Sequence, residues 1–144
     1  MRKILLFFSI VVLAFSCSEE KTVGDELVGD WLYERETFNS FTTFEDPDTE
    51  GYMSFREDET GNWSAHETML NFSLEWDLQA NDEKIAITKY IIGHQNVFPS
   101  TTIYDITRTS EDKFTFTFHF KTESVIDTIE PFEQFENIIL TRME

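Results

Sequence analysis

The strongest constraint on the fold of this chain is a strict alternation of apolar and polar residues in two segments. Residues 113–121, KFTFTFHFK, place four side chains on one face: Phe114, Phe116, Phe118 and Phe120. Residues 71–78, NFSLEWDL, do the same with Phe72, Leu74, Trp76 and Leu78. A period of two puts alternate side chains on opposite faces of a strand, whereas a helix needs apolar residues three and four apart. Both segments are therefore predicted to be half-buried antiparallel strands.

Six weaker strands are predicted around these two segments. They cover Trp31–Asn39, Gly51–Arg56, Asn62–Glu67, Lys84–Tyr90, Thr101–Thr107 and Ile138–Met143. Turn-like pieces separate the strands at residues 45–48, 57–61, 79–83 and 110–112. Several short strands separated by such turns predict an all-β barrel or sandwich. Residues 123–136 fit either a long loop or a short helix near residues 131–135.

The composition is acidic yet rich in aromatic residues. The chain has 28 Asp and Glu against 11 Lys and Arg, a formal net charge of −17. Because no basic patch is present to meet a phosphate backbone, we expect no nucleic-acid binding. The 15 phenylalanines, four tyrosines and three tryptophans argue against a disordered acidic chain, which has few aromatic residues. We therefore expect one folded domain with an adequate apolar core.

The first 16 residues are typical of a secretory signal peptide. Arg2 and Lys3 precede an apolar run over residues 4–15, interrupted by Ser9. This run is shorter than the roughly 17–25 residues that a membrane-spanning helix needs. A basic start, a short apolar stretch and a small residue at the end predict export and removal of residues 1–16.

Cys17 is the only cysteine, and it follows the sequence Leu13-Ala14-Phe15-Ser16. This segment resembles a bacterial lipobox, which implies that Cys17 becomes the lipidated N-terminus and that its acyl chains hold the protein on a membrane. Residues 17–26 are then the lipidated cysteine and an acidic tether, and residues 27–144 are the folded domain. Ser18-Glu19-Glu20-Lys21 resembles an acidic export signal, which implies the cell surface of an outer membrane. The alternative is a lipoprotein that faces the periplasm.

The domain itself resembles the lipocalin-like lipoprotein domains of bacteria. Three pieces carry the likeness: Gly29-Asp30-Trp31, residues 51–63 (GYMSFREDETGNW) with residues 72–88 (FSLEWDLQANDEKIAIT), and residues 137–144 (NIILTRME). The resemblance implies a single antiparallel up-and-down β-barrel of about eight strands. It also implies that Trp31 closes the barrel floor and that Arg142 stacks over it, a cation–π contact of about 0.5–2 kcal/mol.

An eight-stranded barrel either fills with side chains or holds one small ligand. A small hydrophobic ligand inside the barrel would be lined by Trp31, Phe72, Trp76, Phe116 and Phe118. The alternative is that these residues form a closed core.

No pattern in the chain points to catalysis or to a cofactor. The sequence has no nucleophile elbow of the G-x-S-x-G type and no glycine-rich phosphate loop. His66, His94 and His119 lack the spacing of a zinc site. We therefore expect a non-enzymatic protein without a cofactor.

One acidic segment has the spacing of a calcium loop. In residues 46–57, DPDTEGYMSFRE, five positions match the ligands of an EF-hand type loop: Asp46, Asp48, Glu50, Tyr52 through its carbonyl, and Glu57. The flanks show no helical pattern, and Tyr52–Arg56 already fits a strand. The alternative is an acidic loop that enters a hairpin.

Three functional hypotheses follow for the domain. The first is a lipid-anchored binding module with a small hydrophobic ligand. The second is a filled barrel that acts through its surface, for which Phe38, Phe41 and Phe44 are candidate exposed residues, with protein partners unspecified. The third is a calcium-dependent module that uses residues 46–57.

Overall fold

Eight antiparallel strands pair in chain order, and the pairing of the first with the last closes them into a barrel. The computed structural model describes residues 21–40, 49–66, 68–92, 97–122 and 132–144. Its elements are α1 Val23–Leu27, β1 Gly29–Asn39, β2 Glu50–Phe55, β3 Thr60–Ala65, β4 Asn71–Gln79, β5 Lys84–Ile92, β6 Val97–Ser110, β7 Lys113–Lys121 and β8 Glu133–Arg142. The expected up-and-down barrel of eight strands is confirmed. All strand pairs lie within residues 29–142, so a chain that starts at Ser18 retains every one of them.

Each of the eight predicted segments overlaps one strand, and one expectation near the C-terminus is wrong. Residues 133–135 belong to β8 and form neither a loop nor a short helix. They pair on both sides, since Glu133 lies opposite Lys121 of β7 and Phe135 lies opposite Phe38 of β1. Two ladders of backbone hydrogen bonds therefore hold this segment extended. The predicted turn at residues 45–48 and residues 123–131 lie outside the described residues.

Alternation along the strands sorts the side chains into an inner and an outer set. Counted from the end of the barrel that carries α1, called the closed end, the inward-facing residues form three levels. The lower level contains Trp31, Phe55, Gly61, Trp76, Ile85, Ile106, Phe114 and Leu140. The middle level contains Tyr33, Met53, Trp63, Leu74, Ile87, Tyr104, Phe116 and Ile138. The upper level, towards the opposite end, contains Arg35, Gly51, Ala65, Phe72, Lys89, Thr102, Phe118 and Glu136.

Aromatic rings fill the lower and middle levels. Trp31 meets Phe114 edge to face with ring centroids 5.5 Å apart, and Phe55 meets Trp76 in the same way at 5.7 Å. Phe55 also contacts Phe116 at 6.1 Å, which connects the two levels. Such pairs add about 0.5–1.5 kcal/mol each to the free energy of burial. The lower two thirds of the barrel are thus a packed core.

The regular inward series expected for β7 ends before Phe120. Phe114 and Phe116 are fully buried and Phe118 is partly buried, but Phe120 is 46% exposed. Phe120 lies beyond the upper level, where its ring packs beside Phe132 at 6.0 Å instead of entering the core. The predicted outward position of His119 is confirmed, since its side chain is exposed.

The sequence predicts a tether over residues 17–26, but the structure places the last four of these residues in helix α1. Thr22 caps α1, because its side chain accepts a hydrogen bond from the backbone of Asp25 while the Asp25 carboxylate accepts from the backbone of Thr22. Leu27 at the end of α1 is fully buried. Packing of this apolar residue beneath the barrel explains why so short a helix forms. Among the described residues, no helix has the length and apolar character needed to cross a membrane.

Two phenylalanines of β7 provide a matched test of this packing. We expect Phe116→Ala to lower the free energy of unfolding by about 3–5 kcal/mol, because it leaves a cavity in the middle of the core. Phe120→Ala, in the same strand, should change it by less than about 1 kcal/mol, because the ring is half exposed. Urea unfolding of both variants measures the difference. Equal losses would contradict the assignment of Phe116 to the core and of Phe120 to the rim.

Candidate functional site

The closed end is held together by a contact between Trp31 and Arg142. The guanidinium carbon of Arg142 lies 4.3 Å from the centroid of the Trp31 ring, and the indole nitrogen donates a hydrogen bond to the carbonyl of Leu27 at 2.8 Å. Arg142 also donates to the carbonyl of Val28 at 3.2 Å and to the carbonyl of Glu26. The pair implied by the lipocalin resemblance is therefore present. Arg142 satisfies backbone carbonyls at the end of α1 that the helix itself leaves without partners.

Gly29 makes room for this arginine. Its φ angle is +142°, and a Cβ atom at this position would lie 2.6 Å from Nη1 of Arg142. Any other residue would strain the backbone and push the guanidinium away from Trp31. The glycine and the tryptophan of the Gly29-Asp30-Trp31 segment thus serve one contact.

Sequence reasoning missed an ion pair at the closed end. Glu26 is 7% exposed and accepts a hydrogen bond of 2.6 Å from Arg108 of β6. Its other carboxylate oxygen has no hydrogen-bond partner among the described residues. The capping pair of Thr22 and Asp25 was the available signal for a helix here. Hydrogen bonds from Thr22 lower the pKa of Asp25, which favours the charged form of the cap.

The five predicted ligand-lining residues separate into two groups. Trp31 and Phe116 have no exposed surface, and Trp76 is 7% exposed. Trp31 packs on Phe114, while Trp76 and Phe116 both pack on Phe55, so these three rings belong to the core of the lower and middle levels. Phe72 and Phe118 are partly buried and lie in the upper level, where they pack on the core from above. Only these two remain candidates to line a ligand site.

The upper level differs from the two below it in side-chain size and charge. Gly51 and Ala65 lie opposite each other on β2 and β3, next to the larger Met53 and Trp63 of the middle level, and a Cβ at Gly51 would lie 2.8 Å from the Tyr33 ring. Arg35, Lys89 and Glu136 bring three charged groups to the same level. An apolar core is therefore capped by a polar layer with two small residues in its wall.

Glu136 is the buried centre of this layer. It is 5% exposed, and one carboxylate oxygen pairs with Nε of Arg35 at 2.5 Å. The other oxygen accepts a hydrogen bond of 2.9 Å from the hydroxyl of Tyr104. Both oxygens are thus satisfied, as a buried carboxylate requires. Burial, and then the negative charge of Glu136, raise the pKa of Tyr104, so its hydroxyl stays protonated and remains a donor.

Two cations face the same indole ring at the floor of the upper level. The Lys89 ammonium lies 4.1 Å from the centroid of the Trp63 ring, and the Arg35 guanidinium carbon lies 5.7 Å from it. Trp63 itself is 2% exposed. Cations within about 6 Å of a ring face are attracted by its quadrupole. Sequence reasoning missed this group, although Arg35 continues the inward series of Trp31 and Tyr33 and could have been found from that spacing.

The calcium loop proposed for residues 46–57 is contradicted by the course of β2. Glu50 begins the strand and Glu57 follows its end, so the two are roughly 20 Å apart at about 3.3 Å per residue. Tyr52 lies between them on the outer face, 43% exposed. An ion cannot be shared over that distance. Asp46 and Asp48 lie outside the described residues.

No metal centre is found in the part of the chain that the structure describes, where no three His, Cys, Asp or Glu side chains are grouped suitably. His66 and His119 lie on the outer face, next to Glu50 at 3.5 Å and Glu133 at 2.9 Å. His94, Cys17, Phe41 and Phe44 lie outside the described residues.

Comparisons with known proteins do not extend these observations. The chain matches no family model, and no similar protein emerges among curated proteins or solved structures.

We expect Arg142→Ala to lower the free energy of unfolding by at least about 2 kcal/mol, because it removes the cation–π contact and strands two carbonyl groups. Trp31→Ala should cost about 3–5 kcal/mol. Lys113→Ala, an exposed cation near the same end, is the control and should cost less than about 0.5 kcal/mol. Thermal and urea unfolding measure all three. An Arg142 variant as stable as the control would show that the stack contributes nothing.

Proposed function

We propose that this protein is a non-enzymatic, lipid-anchored lipoprotein of the cell envelope with a lipocalin-like domain that binds a small hydrophobic ligand. The ligand site is the upper level of the barrel, with Phe72 and Phe118 against its apolar part. The observation that carries the proposal is the change along the barrel axis. Buried aromatic rings fill the lower two levels, whereas Phe72 and Phe118 in the level above are only partly buried.

The site we propose is shallow, because the middle level forms its floor. Trp63, Tyr104 and Phe116 are each at most 2% exposed, so these rings are already covered and a ligand would contact the partly buried Phe72 and Phe118 above them. Phe118 lies 6.3 Å from Tyr104, and Phe72 packs against the same core. Such a site fits one short alkyl chain or one ring system better than a large hydrophobic ligand.

The anchor in this proposal is Cys17, exposed by removal of residues 1–16 and then acylated. Acyl chains on one residue suffice for stable attachment, since each buried methylene contributes about 0.8 kcal/mol. The acidic residues that follow favour the cell surface over the periplasmic side. Mass spectrometry of the membrane-extracted protein tests the anchor: the N-terminal peptide should begin at an acylated Cys17, and an unmodified Met1 or Ser18 would refute it.

A second candidate function is favoured by exposed apolar residues at the end of the barrel opposite α1. Phe38, Met69, Phe98 and Phe120 are 53%, 82%, 59% and 46% exposed. They come from β1, the β3–β4 connection, β6 and β7, and they lie around the same end of the barrel. A filled barrel that uses this rim to contact another protein would need no ligand.

Binding of a neutral fluorescent probe distinguishes the two functions. The chain from Ser18 to Glu144, refolded from urea to remove bound lipid, should saturably enhance the fluorescence of N-phenyl-1-naphthylamine. Ala65→Leu should abolish the enhancement, because it fills the upper level from the wall. Ala86→Leu carries the same change on the outward face of β5 and should bind like the parent chain.

Melting curves confirm that each leucine variant is folded before its binding is compared with that of the parent chain. Equal binding by the Ala65 and Ala86 variants would remove the upper level as the site. An absence of saturable binding in the parent chain would favour the filled barrel.

A further inference from the structure

We propose that a groove on the outer face of the barrel binds a neutral sugar unit, with the ring of Tyr90 as its stacking surface. The groove has a volume of about 520 Å³ and crosses β3, β4 and β5 from the β2–β3 turn. It is separate from the proposed ligand site inside the barrel, and this inference does not depend on that site. The polar and aromatic side chains that line the groove are Arg56, Thr60, Asn62, Ser73, Glu75 and Tyr90.

The groove forms because short outward side chains lie between long ones. Ser73 of β4 lies opposite Tyr90 of β5 on one side and opposite Asn62 of β3 on the other. Side chains that face each other across strands are about 4.5–5.5 Å apart at Cβ, so the short Ser73 leaves a depression beside the Tyr90 ring. These residues, and the turns at residues 56–60 and 80–83, all belong to the described part of the chain.

The ring of Tyr90 is held in a fixed position. Its hydroxyl donates a hydrogen bond of 2.6 Å to Glu75, which lies two residues along β4 from Ser73, so the side chain leans diagonally over the sheet. The hydrogen bond to Glu75 raises the pKa of Tyr90, which favours the protonated hydroxyl that donates it. A ligand that stacks on a ring already held in place immobilises little further side-chain motion.

The polar groups beside this ring include both donors and acceptors. Arg56 can only donate hydrogen bonds and Glu75 can only accept them, whereas Asn62 and Ser73 can do both. With its amide oxygen turned towards Arg56, Asn62 accepts a hydrogen bond of 3.1 Å from Nη2, which brings these two groups together. Each hydroxyl of a sugar both donates and accepts, so neighbouring hydroxyls match a set of this mixed kind.

Other classes of ligand fit the groove less well. The guanidinium of Arg56 and the carboxylate of Glu75 cancel, so the lining has no net charge in a chain of net charge −17. A cation would be opposed by Arg56, and an anion by Glu75 and by the acidic surface around it. A wholly apolar ligand would remove water from the polar side chains without replacing their hydrogen bonds. A sugar ring offers an apolar face to Tyr90 and hydroxyls to the polar groups.

A glycan array with neutral, sialylated and sulfated oligosaccharides tests the class of ligand, using the fluorescently labelled chain from Ser18 to Glu144. We expect binding to at least one neutral oligosaccharide. Binding to charged oligosaccharides alone, or to none on the array, would overturn the proposal.

Two tyrosines of the outer face locate the binding. Isothermal titration calorimetry measures Kd for the neutral oligosaccharide that the array selects. Tyr90→Ala should raise Kd at least about tenfold, because it removes the stacking surface. Tyr52→Ala removes a tyrosine of β2 that is 43% exposed and lies outside the groove, and it should leave Kd unchanged. Equal Kd values for the two variants would overturn the assignment of the groove.

A second pair of variants tests the groove without removing an aromatic ring. Ser73→Leu should abolish binding of the oligosaccharide, because it fills the depression beside Tyr90. Ser64→Leu carries the same change on the outer face of β3, beyond the groove, and should bind like the parent chain. Melting curves establish that all variants are folded before their Kd values are compared.

The same variants separate this inference from the proposed function. Ser73→Leu should enhance the fluorescence of N-phenyl-1-naphthylamine like the parent chain, since that probe is expected inside the barrel. Loss of both ligands in this variant would overturn the separation of the two sites. Loss of neither would overturn the sugar site in the groove and leave the site inside the barrel in place.

Discussion

The pairing of β1 with β8 turns a sheet into a barrel, and the division between inner and outer residues depends on it. Nine residue pairs, from Trp31 opposite Arg142 to Asn39 opposite Gln134, close the ring. A closed sheet has no free edge, and it gives every strand one face that water cannot reach. Period-two alternation then determines whether each side chain faces the interior or the outside of the barrel. The same closure brings Arg142 to Trp31 and Glu136 to Arg35, the two contacts that define the closed end and the upper level.

The barrel architecture could be predicted from the sequence because its signal is local. Phe114, Phe116, Leu74 and Trp76 show the alternation within their own segments, and burial enforces it. The stack of Arg142 on Trp31 was implied by resemblance alone, because the two residues are 111 positions apart and no local pattern connects them. The helix α1 was missed because five residues carry almost no periodic signal. Its stability comes from Leu27 and Glu26, which find their partners only in the folded barrel.

The candidate site was only partly predictable, because the position of a residue along the barrel axis depends on long-range strand pairing. Phe72 and Phe118 were expected to line a ligand, and they do lie at the upper level; Trp31, Trp76 and Phe116 are core. Apolar alternation shows which residues face inward but gives no depth along the axis. Depth depends on strand register and on the stagger of the barrel, which are set by long-range pairing. The charged group around Trp63 escaped notice because Arg35, Lys89 and Glu136 lie on three different strands.

The central claim is that a ligand site lies above a filled core, and the three tryptophans report on it directly. Indole N–H signals in two-dimensional proton–nitrogen spectra follow each ring during titration with N-phenyl-1-naphthylamine. The account predicts that the Trp63 signal shifts in a saturable way. The signals of Trp31 and Trp76, whose indole groups donate to the carbonyls of Leu27 and Thr60, should stay in place. A shift of Trp31 or Trp76 with Trp63 unchanged would contradict the account.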